Sequence, residues 1–297
     1  MSTARTARTA RIMGRDVDVS RAAPDVVRFL ASYFEAKSAD DVDVLMGHFL
    51  PESVTYTDAT LGWIFHDWQT LYDKFAELLA AWPAEAVAWP TRIVGDFDSA
   101  VVFFTDSPEM FGRELRAAGT VDFREGKIVR WVDTWDGRSL TAETAASMRV
   151  PHDVYPADFG EEKLGEKAAP VLRRAARAFA VALAAGDAAQ ASSLLHEDVV
   201  FEDTSLHLLL EGRSQTRDFL DRTLADLAYG PGSTLRHVVG SAQGGAYEWS
   251  TGGRVPAGVT TLELDEDGTI TRVTSTWDAS LTPEAVLHRI QNAAIVP

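Results

Sequence analysis

This sequence predicts an α+β protein built from two copies of one domain, each with three helices on one side of a curved sheet, and three observations carry that expectation. The order of elements runs helix, helix, strand, helix and then several strands, and it does so twice. Val-Thr-Tyr-Thr-Asp at 54–58 matches Val-Val-Phe-Glu-Asp at 199–203 at an offset of 145, and Trp135-Asp136 matches Trp277-Asp278 at an offset of 142. A near-constant offset across many residues marks an internal duplication. Each copy also closes on an acidic-Gly turn that leads into alternating β-formers. Glu125-Gly126 precedes Trp131-Val132-Asp133-Thr134-Trp135, and Asp267-Gly268 precedes Val273-Thr274-Ser275-Thr276-Trp277, so Ser275 stands where the first copy has Asp133.

Residues 1–20 repeat Thr-Ala-Arg and carry four arginines before the first acid, a transit-peptide-like composition without a clear amphipathic helix. A disordered tail is expected there. The first domain is expected over 21–140. Pro24 suits the first turn of a helix that runs through Val27, Leu30, Tyr33 and Phe34 to about Ser38. Residues 40–49 space Val42, Leu45, Met46 and Phe49 for a second helix, which Pro51 ends. Val54, Tyr56 and Asp58 alternate with Thr55 and Thr57 in a strand, with Asp58 on the Val54-Tyr56 side. Residues 68–81 form a third helix with Leu71, Phe75, Leu78 and Leu79 inward, and strands follow near 86–93, 100–105, 113–123 and 127–135. On the last of these, period-2 geometry puts Trp131, Asp133 and Trp135 on one face and Val132 and Thr134 on the other. A linker is expected at 141–167. The order then restarts in a second domain at 168–282, with helices at 169–185, 187–195 and 214–227 around a strand at 199–203, and a terminal helix lies within 283–297.

The 297 residues are 46% hydrophobic, enough for two cores, and carry a net charge of -16. That charge repels phosphate backbones and anionic bilayers, so nucleic acid and membrane are not expected partners. No apolar run approaches the roughly 20 residues of a membrane span. The absence of cysteine excludes disulfides, thiolate metal sites and a cysteine nucleophile, and suits a cytoplasmic location. The seven histidines have no zinc-motif spacing, so no metal is expected. His66, His207 and His237 read as loop or surface residues. No Ser-His-Asp order, phosphate loop or dinucleotide fingerprint is present, and no cofactor is expected.

Phe179-Ala180-Val181-Ala182-Leu183-Ala184-Ala185-Gly186-Asp187, with Asp203 sixteen residues later, resembles the opening of nuclear-transport-factor-2-like proteins, which include ketosteroid isomerase and SnoaL-like polyketide cyclases. Tyr33 and Asp41 keep the same eight-residue spacing in the first copy, with Asp58 one residue later than expected. The resemblance implies a cone of three helices and a strongly bent, mostly antiparallel sheet around a pocket. Two cones in one chain look like a fused form of the family's dimer, an intramolecular pseudo-dimer with sheet on sheet, and a further homodimer stays open. By the same resemblance the carboxylate at Asp58 or Asp203 is a general base and Tyr33 helps stabilise an oxyanion. The second copy departs from this with Phe179, and Gly119 or Thr120 falls where the isomerase has its oxyanion carboxyl. The stretch from Glu125 to Asp133 is also similar to limonene-type epoxide hydrolases, whose catalytic Asp corresponds to Asp133; their Arg has no counterpart in 102–106. Polyether-type epoxide hydrolases and cyclases imply instead Asp58 with Glu85, against which the second copy offers Gly230.

The candidate catalytic residues are therefore Asp58, Glu85, Asp133 and Tyr33, with Tyr56, Trp63, Phe65, Trp131 and Trp135 as substrate wall and Asp203 and Glu202 as second-domain candidates. Two carboxyls held at different pKa values can deliver one proton and remove another, and an apolar wall raises the pKa of a carboxyl beside it. Each residue also has a plain structural reading: Asp58 as a turn-capping acid, Asp133 on a solvated sheet rim, Glu85 on a surface strand, Tyr33 as a core aromatic, and Asp203 with Glu202 as structural or vestigial acids. The expected activity is cofactor-free acid-base opening of an epoxide in a small, apolar, oxygenated, polyketide-like substrate. The alternatives are a SnoaL-like cyclase or isomerase that deprotonates carbon, and a ligand-binding or association module without catalysis.

Overall fold

A computed structural model describes residues 8–295. The chain opens with a hairpin, β1 (Thr9–Ile12) and β2 (Arg15–Ala22), where a disordered tail was expected. The reason is period-2 alternation too short to stand out: Val17 and Val19 are buried between exposed or half-exposed neighbours, and β2 pairs in parallel with the strand at Ala88–Gly95. The part of the expected tail before Arg8 lies outside the described residues. Helix α1 (Pro24–Ser38) starts on its proline, and α2 (Val42–Met46) is capped by Asp41, which accepts from the Val44 amide at 3.0 Å. Strand β3 (Thr55–Asp58) pairs with a short β4 (Trp63–Phe65). Helix α3 (Trp68–Ala81) follows, capped by Asp67. Then come β5 (Ala88–Gly95), β6 (Ser99–Asp106), the single turn α4 (Pro108–Phe111), β7 (Leu115–Arg124) and β8 (Lys127–Trp135).

The stretch expected as a linker contains elements of its own. It holds α5 (Ala142–Met148) and two short helical turns, and it buries Phe159 against the first sheet. The second domain repeats the first: α6 (Pro170–Ala184), α7 (Ala188–Ser193), β9 (Leu195–Asp203), β10 (Leu208–Glu211), α8 (Arg213–Thr223), β11 (Ser233–Ser241), β12 (Gly244–Thr251), β13 (Ala257–Leu264), β14 (Ile270–Trp277) and a final α9 (Glu284–Ala294). The expected helix at 187–195 ends earlier, because Leu195 already begins β9.

Both sheets share one strand order. In the first it is β1-β2-β5-β6-β7-β8-β3-β4 and in the second β11-β12-β13-β14-β9-β10, so the hairpin β1-β2 is the addition that distinguishes them. Neighbours are antiparallel except for β2-β5, β3-β8 and β9-β14. Register shifts at Pro90/Arg92 in β5 and Leu235/His237 in β11 sit at matching places and bend each sheet. The duplication extends to single hydrogen bonds. Asp58 accepts from the Leu61 amide at 2.8 Å and Asp203 from the Leu206 amide at 2.9 Å, while Thr60 and Ser205 each bridge the backbone of Trp135 and Trp277 through one hydroxyl. Asp187 caps α7 as Asp41 caps α2.

The two sheets pack against each other. Val94, Val101, Phe103 and Ala118 of the first meet Val239, Ala246 and Val259 of the second. Beside this apolar contact lies a buried ionic cluster. Arg130 on β8 makes two bonds to Glu248 on β12, at 2.7 and 2.6 Å, and His237 Nε2 sits 2.9 Å from Asp122. His237 is thus a buried interface residue, not the loop or surface residue expected, because β11 presents it to the opposing sheet. Strong attraction to Glu248 outweighs the burial of Arg130 and raises its pKa; Glu248, for its part, is desolvated yet held down to about 2 by Arg130.

Candidate active site

On β8 the expected alternation holds: Arg130 and Val132 face the other domain, and Asp133 and Trp135 face a cavity inside the first cone. Strand β3 runs parallel to β8 with Asp58 beside Asp133, so two carboxyls from adjacent strands open into the same space. The cavity is small, about 80 Å³, and apolar. Tyr56, Trp63, Phe65 and Trp135 line it, with Phe75 and Leu78 of α3 opposite. Leu140 and Met148, from the stretch expected as a linker, close one side, and the Met148 carbonyl takes the Trp63 indole N–H at 2.8 Å.

Each carboxyl has its own donors. Asp58 Oδ1 accepts the amides of Thr60 (3.0 Å) and Leu61 (2.8 Å), and its Oδ2 accepts the Trp135 indole at 2.9 Å. Asp133 Oδ1 accepts the Trp131 indole at 2.6 Å, and its Oδ2 accepts the Tyr56 hydroxyl. Burial, and then the charge of Asp133, raise the Asp58 carboxyl to about 7 against these hydrogen bonds. Burial raises Asp133 to about 6, with Tyr56 and Trp131 pulling the other way. Gly119 explains how Trp131 reaches its place: a Cβ there would lie 2.8 Å from the indole ring, so only glycine on β7 lets the ring cross.

Three expectations need correction. Glu85 is exposed in the turn before β5, which begins at Ala88, and does not reach the cavity. Tyr33 is buried behind the wall and stacks on Trp131 at 4.7 Å; burial, then Asp133 and Asp106, raise its hydroxyl well above the usual range. Trp131 is likewise not part of the cavity surface but supports Asp133 from beneath. Three charged residues that the sequence reading did not select do face the cavity: Lys74 on α3, paired with Glu77 at 3.1 Å, and Lys37 at the end of α1 with Asp106 at the end of β6, joined at 2.8 Å. The available signal was a lysine in the last turn of an amphipathic helix at i+4 from Tyr33, placing both on one face.

The second cone is built differently inside. Asp203 is 0% exposed and accepts from Leu206 N, Trp277 Nε1 and Tyr229 Oη, the last two at 3.0 Å. Burial raises it to about 6, with these donors opposing. Tyr229, next to the Gly230 that matches Glu85, fills the space in front of it, and Trp249 packs nearby. Ser275 bonds Thr260 at 3.0 Å. Glu202 faces away from Asp203 and pairs with Arg272 at 2.7 Å.

Residues 175–274 match the sequence model of the SnoaL-like domain. No curated protein matches the chain. Among solved structures, an NTF-2 like protein of unknown function from Burkholderia xenovorans is 20% identical, covers 36% of this chain and 83% of its own, and has a TM-score of 0.30. A steroid delta-isomerase from Pseudomonas aeruginosa is 19% identical, with coverages of 44% and 93% and a TM-score of 0.34. A de novo designed protein with curved β-sheet is 19% identical, with coverages of 41% and 95% and a TM-score of 0.35. Among the described residues no helix is long and apolar enough to cross a membrane.

Proposed function

We propose that the first domain is a cofactor-free acid-base enzyme of the cyclase or isomerase kind, acting on a small, apolar, oxygenated substrate by removing a proton from carbon. The observation that carries this reading is the side-by-side placement of Asp58 and Asp133 in one apolar cavity, their pKa values raised to about 7 and about 6. A base works best when its pKa lies near the working pH, since it is then both available and basic. Asp58 fits that role, and its three donors fix the carboxylate in one orientation. Asp133, held by Trp131 and Tyr56, supplies the second charge that keeps Asp58 basic.

Epoxide opening is the second reading, favoured by Asp133 itself, since two carboxyls can serve as acid and base across a strained ring. Its version with Glu85 as partner is set aside, because that residue is exposed away from the cavity. The polyketide character of the substrate rests on resemblance alone.

The test is proton exchange. Small ketones incubated with the enzyme in D2O should lose their α-proton signals in NMR spectra, and Asp58→Asn should slow that loss roughly 100-fold or more. Exchange at the wild-type rate in Asp58→Asn rejects the base assignment. Diol formation from small epoxides without any ketone exchange moves the assignment to the second reading.

A further inference from the structure

We infer that Lys37 is the electrophilic group of this site, its ammonium held by Asp106 so that it donates to the oxygen of a neutral carbonyl substrate. This rests on the carbon-deprotonation reading above and adds to it the group that receives the developing negative charge.

Lys37 is 8% exposed and Asp106 4%, and both border the same cavity as Asp58 and Asp133. Lysine is almost never so buried without a partner. Here the partner is one carboxylate oxygen at 2.8 Å, and among the described residues no other side chain or backbone acceptor bonds the ammonium. An ammonium has three donors, so two remain for whatever enters the cavity. The faces of Phe104 and Trp82 stand 5.0 and 5.7 Å from Nζ, which restricts its swing and dries its surroundings. Contact between α1 and β6 does not depend on the ion pair, since Phe34 and Phe104 already pack there at 5.3 Å. A buried ion pair is a poor way to gain stability against apolar residues of similar size. A preorganised cation in a water-poor cavity, however, is a strong way to stabilise charge that appears only during reaction.

The carbon-hydrogen pair becomes the new carbon-carbon double bond, the carbonyl π pair moves onto oxygen, and the proton goes to Asp58. Lys37 hydrogen-bonds the resulting enolate without giving up its proton. Asp58 then returns the proton to the same or a conjugated carbon, and the carbonyl re-forms. With Asp106 offsetting the Lys37 ammonium, Glu77 pairing with Lys74 at 3.1 Å, and the carboxyls of Asp58 and Asp133 also present, a substrate that carries its own carboxylate is disfavoured. The substrate class is thus a neutral, enolisable ketone.

Binding of 4-nitrophenol tests this without a known substrate, because its visible absorbance separates phenol from phenolate and the phenolate imitates an enolate. Wild-type protein should favour the phenolate, lowering the pKa of the bound probe. Lys37→Met should weaken phenolate binding about 10- to 100-fold, the range for a hydrogen bond to a charged group. Neutral phenol affinity and the circular dichroism spectrum should stay as they are. If Lys37→Met does not fold, Lys37→Gln serves, with the same loss expected. Asp106→Asn should leave phenolate binding measurable but reduced, marking Asp106 as a positioning residue. An unchanged phenolate-to-phenol preference in the Lys37 variant, or no phenolate preference in wild-type protein, overturns the assignment. Failure of the base reading looks different. Asp58→Asn would then keep ketone exchange while Lys37→Met still loses phenolate.

Discussion

Replacing Asp133 with Asn should make Asp58 a stronger acid, although the two residues sit on different strands. Asp58 owes its value of about 7 first to burial and second to the charge of Asp133, its neighbour in the β3-β8 register. Adjacent strands lie about 4.8 Å apart, and carboxyl groups on such neighbours are roughly 6 Å apart. Two unit charges at that distance interact by about 3 kcal/mol at an effective dielectric constant of 20, and by half of that if the cavity holds water. At 1.36 kcal/mol per unit, the Asn variant should bring Asp58 down by about 1 to 2 units. The shift is readable by NMR titration of the 13C-labelled Asp58 carboxyl, which needs no substrate. A wild-type midpoint near 4, or a midpoint that does not move in Asp133→Asn, refutes the coupling and with it the tuning of the base.

Four further outcomes follow from the same structure. Because Asp58 and Asp133 have raised folded-state values, their contribution to stability is full below about pH 4 and is lost as pH rises through about 6 and 7; thermal melts should show a falling Tm over that window, flattened in Asp58→Asn. Glu248 is depressed to about 2, so its contribution runs the other way and is lost as pH falls below about 4.5; Glu248→Gln, which leaves Arg130 the more distant carboxylates of Asp122 at 3.6 Å and Glu161 at 3.9 Å, should cost roughly 1.5–3 kcal/mol in urea unfolding at neutral pH. Deleting residues 1–20 should lower the urea midpoint, since Val17 and Val19 each contribute about 1.5–3 kcal/mol by burial, and an unchanged midpoint would mean that the hairpin does not pack. Asp203→Asn should leave ketone exchange within about twofold of wild type, whereas a stalled intermediate seen by mass spectrometry would give the second domain a catalytic step of its own.

The repeat, the helices and the inward face of β8 were legible because they rest on periodicity, which is local. The pairing of Asp58 with Asp133 was half legible: alternation gives the face each residue occupies, but only strand order puts β3 next to β8. Glu85 was misjudged because one turn residue more or less decides whether a side chain lies on a strand face or in solvent. Lys37 and Asp106 were missed for a different reason. Their meaning is a contact between residues 69 positions apart, and neither residue type stands out alone. The hairpin at the start was hidden by composition, since four arginines and repeated Thr-Ala outweighed two well-placed valines.

The duplication also accounts for why the two copies surround their matching acids differently. In a symmetric pair both cones would face the same demand, whereas a fused chain can let each change alone. Trp-Asp pairing survives in both, as Trp135 with Asp58 and Trp277 with Asp203, because it is tied to the turn that ends the strand. What differs is the residue in front: the first cone leaves Asp58 open, and the second puts the Tyr229 hydroxyl on Asp203. The second domain is then free to serve as a wall. Its Glu248 grips Arg130, three residues before Asp133 on the same strand, while its Asp278 accepts from Gly137 at 2.9 Å and from Arg149. Those contacts lie on either side of Trp135 and just past Met148, which borders the cavity. Arg149→Met should therefore loosen the cavity wall more than the fold. Faster amide hydrogen exchange confined to 137–150, with urea stability elsewhere retained, is the expected pattern, and uniform destabilisation of both domains would contradict it.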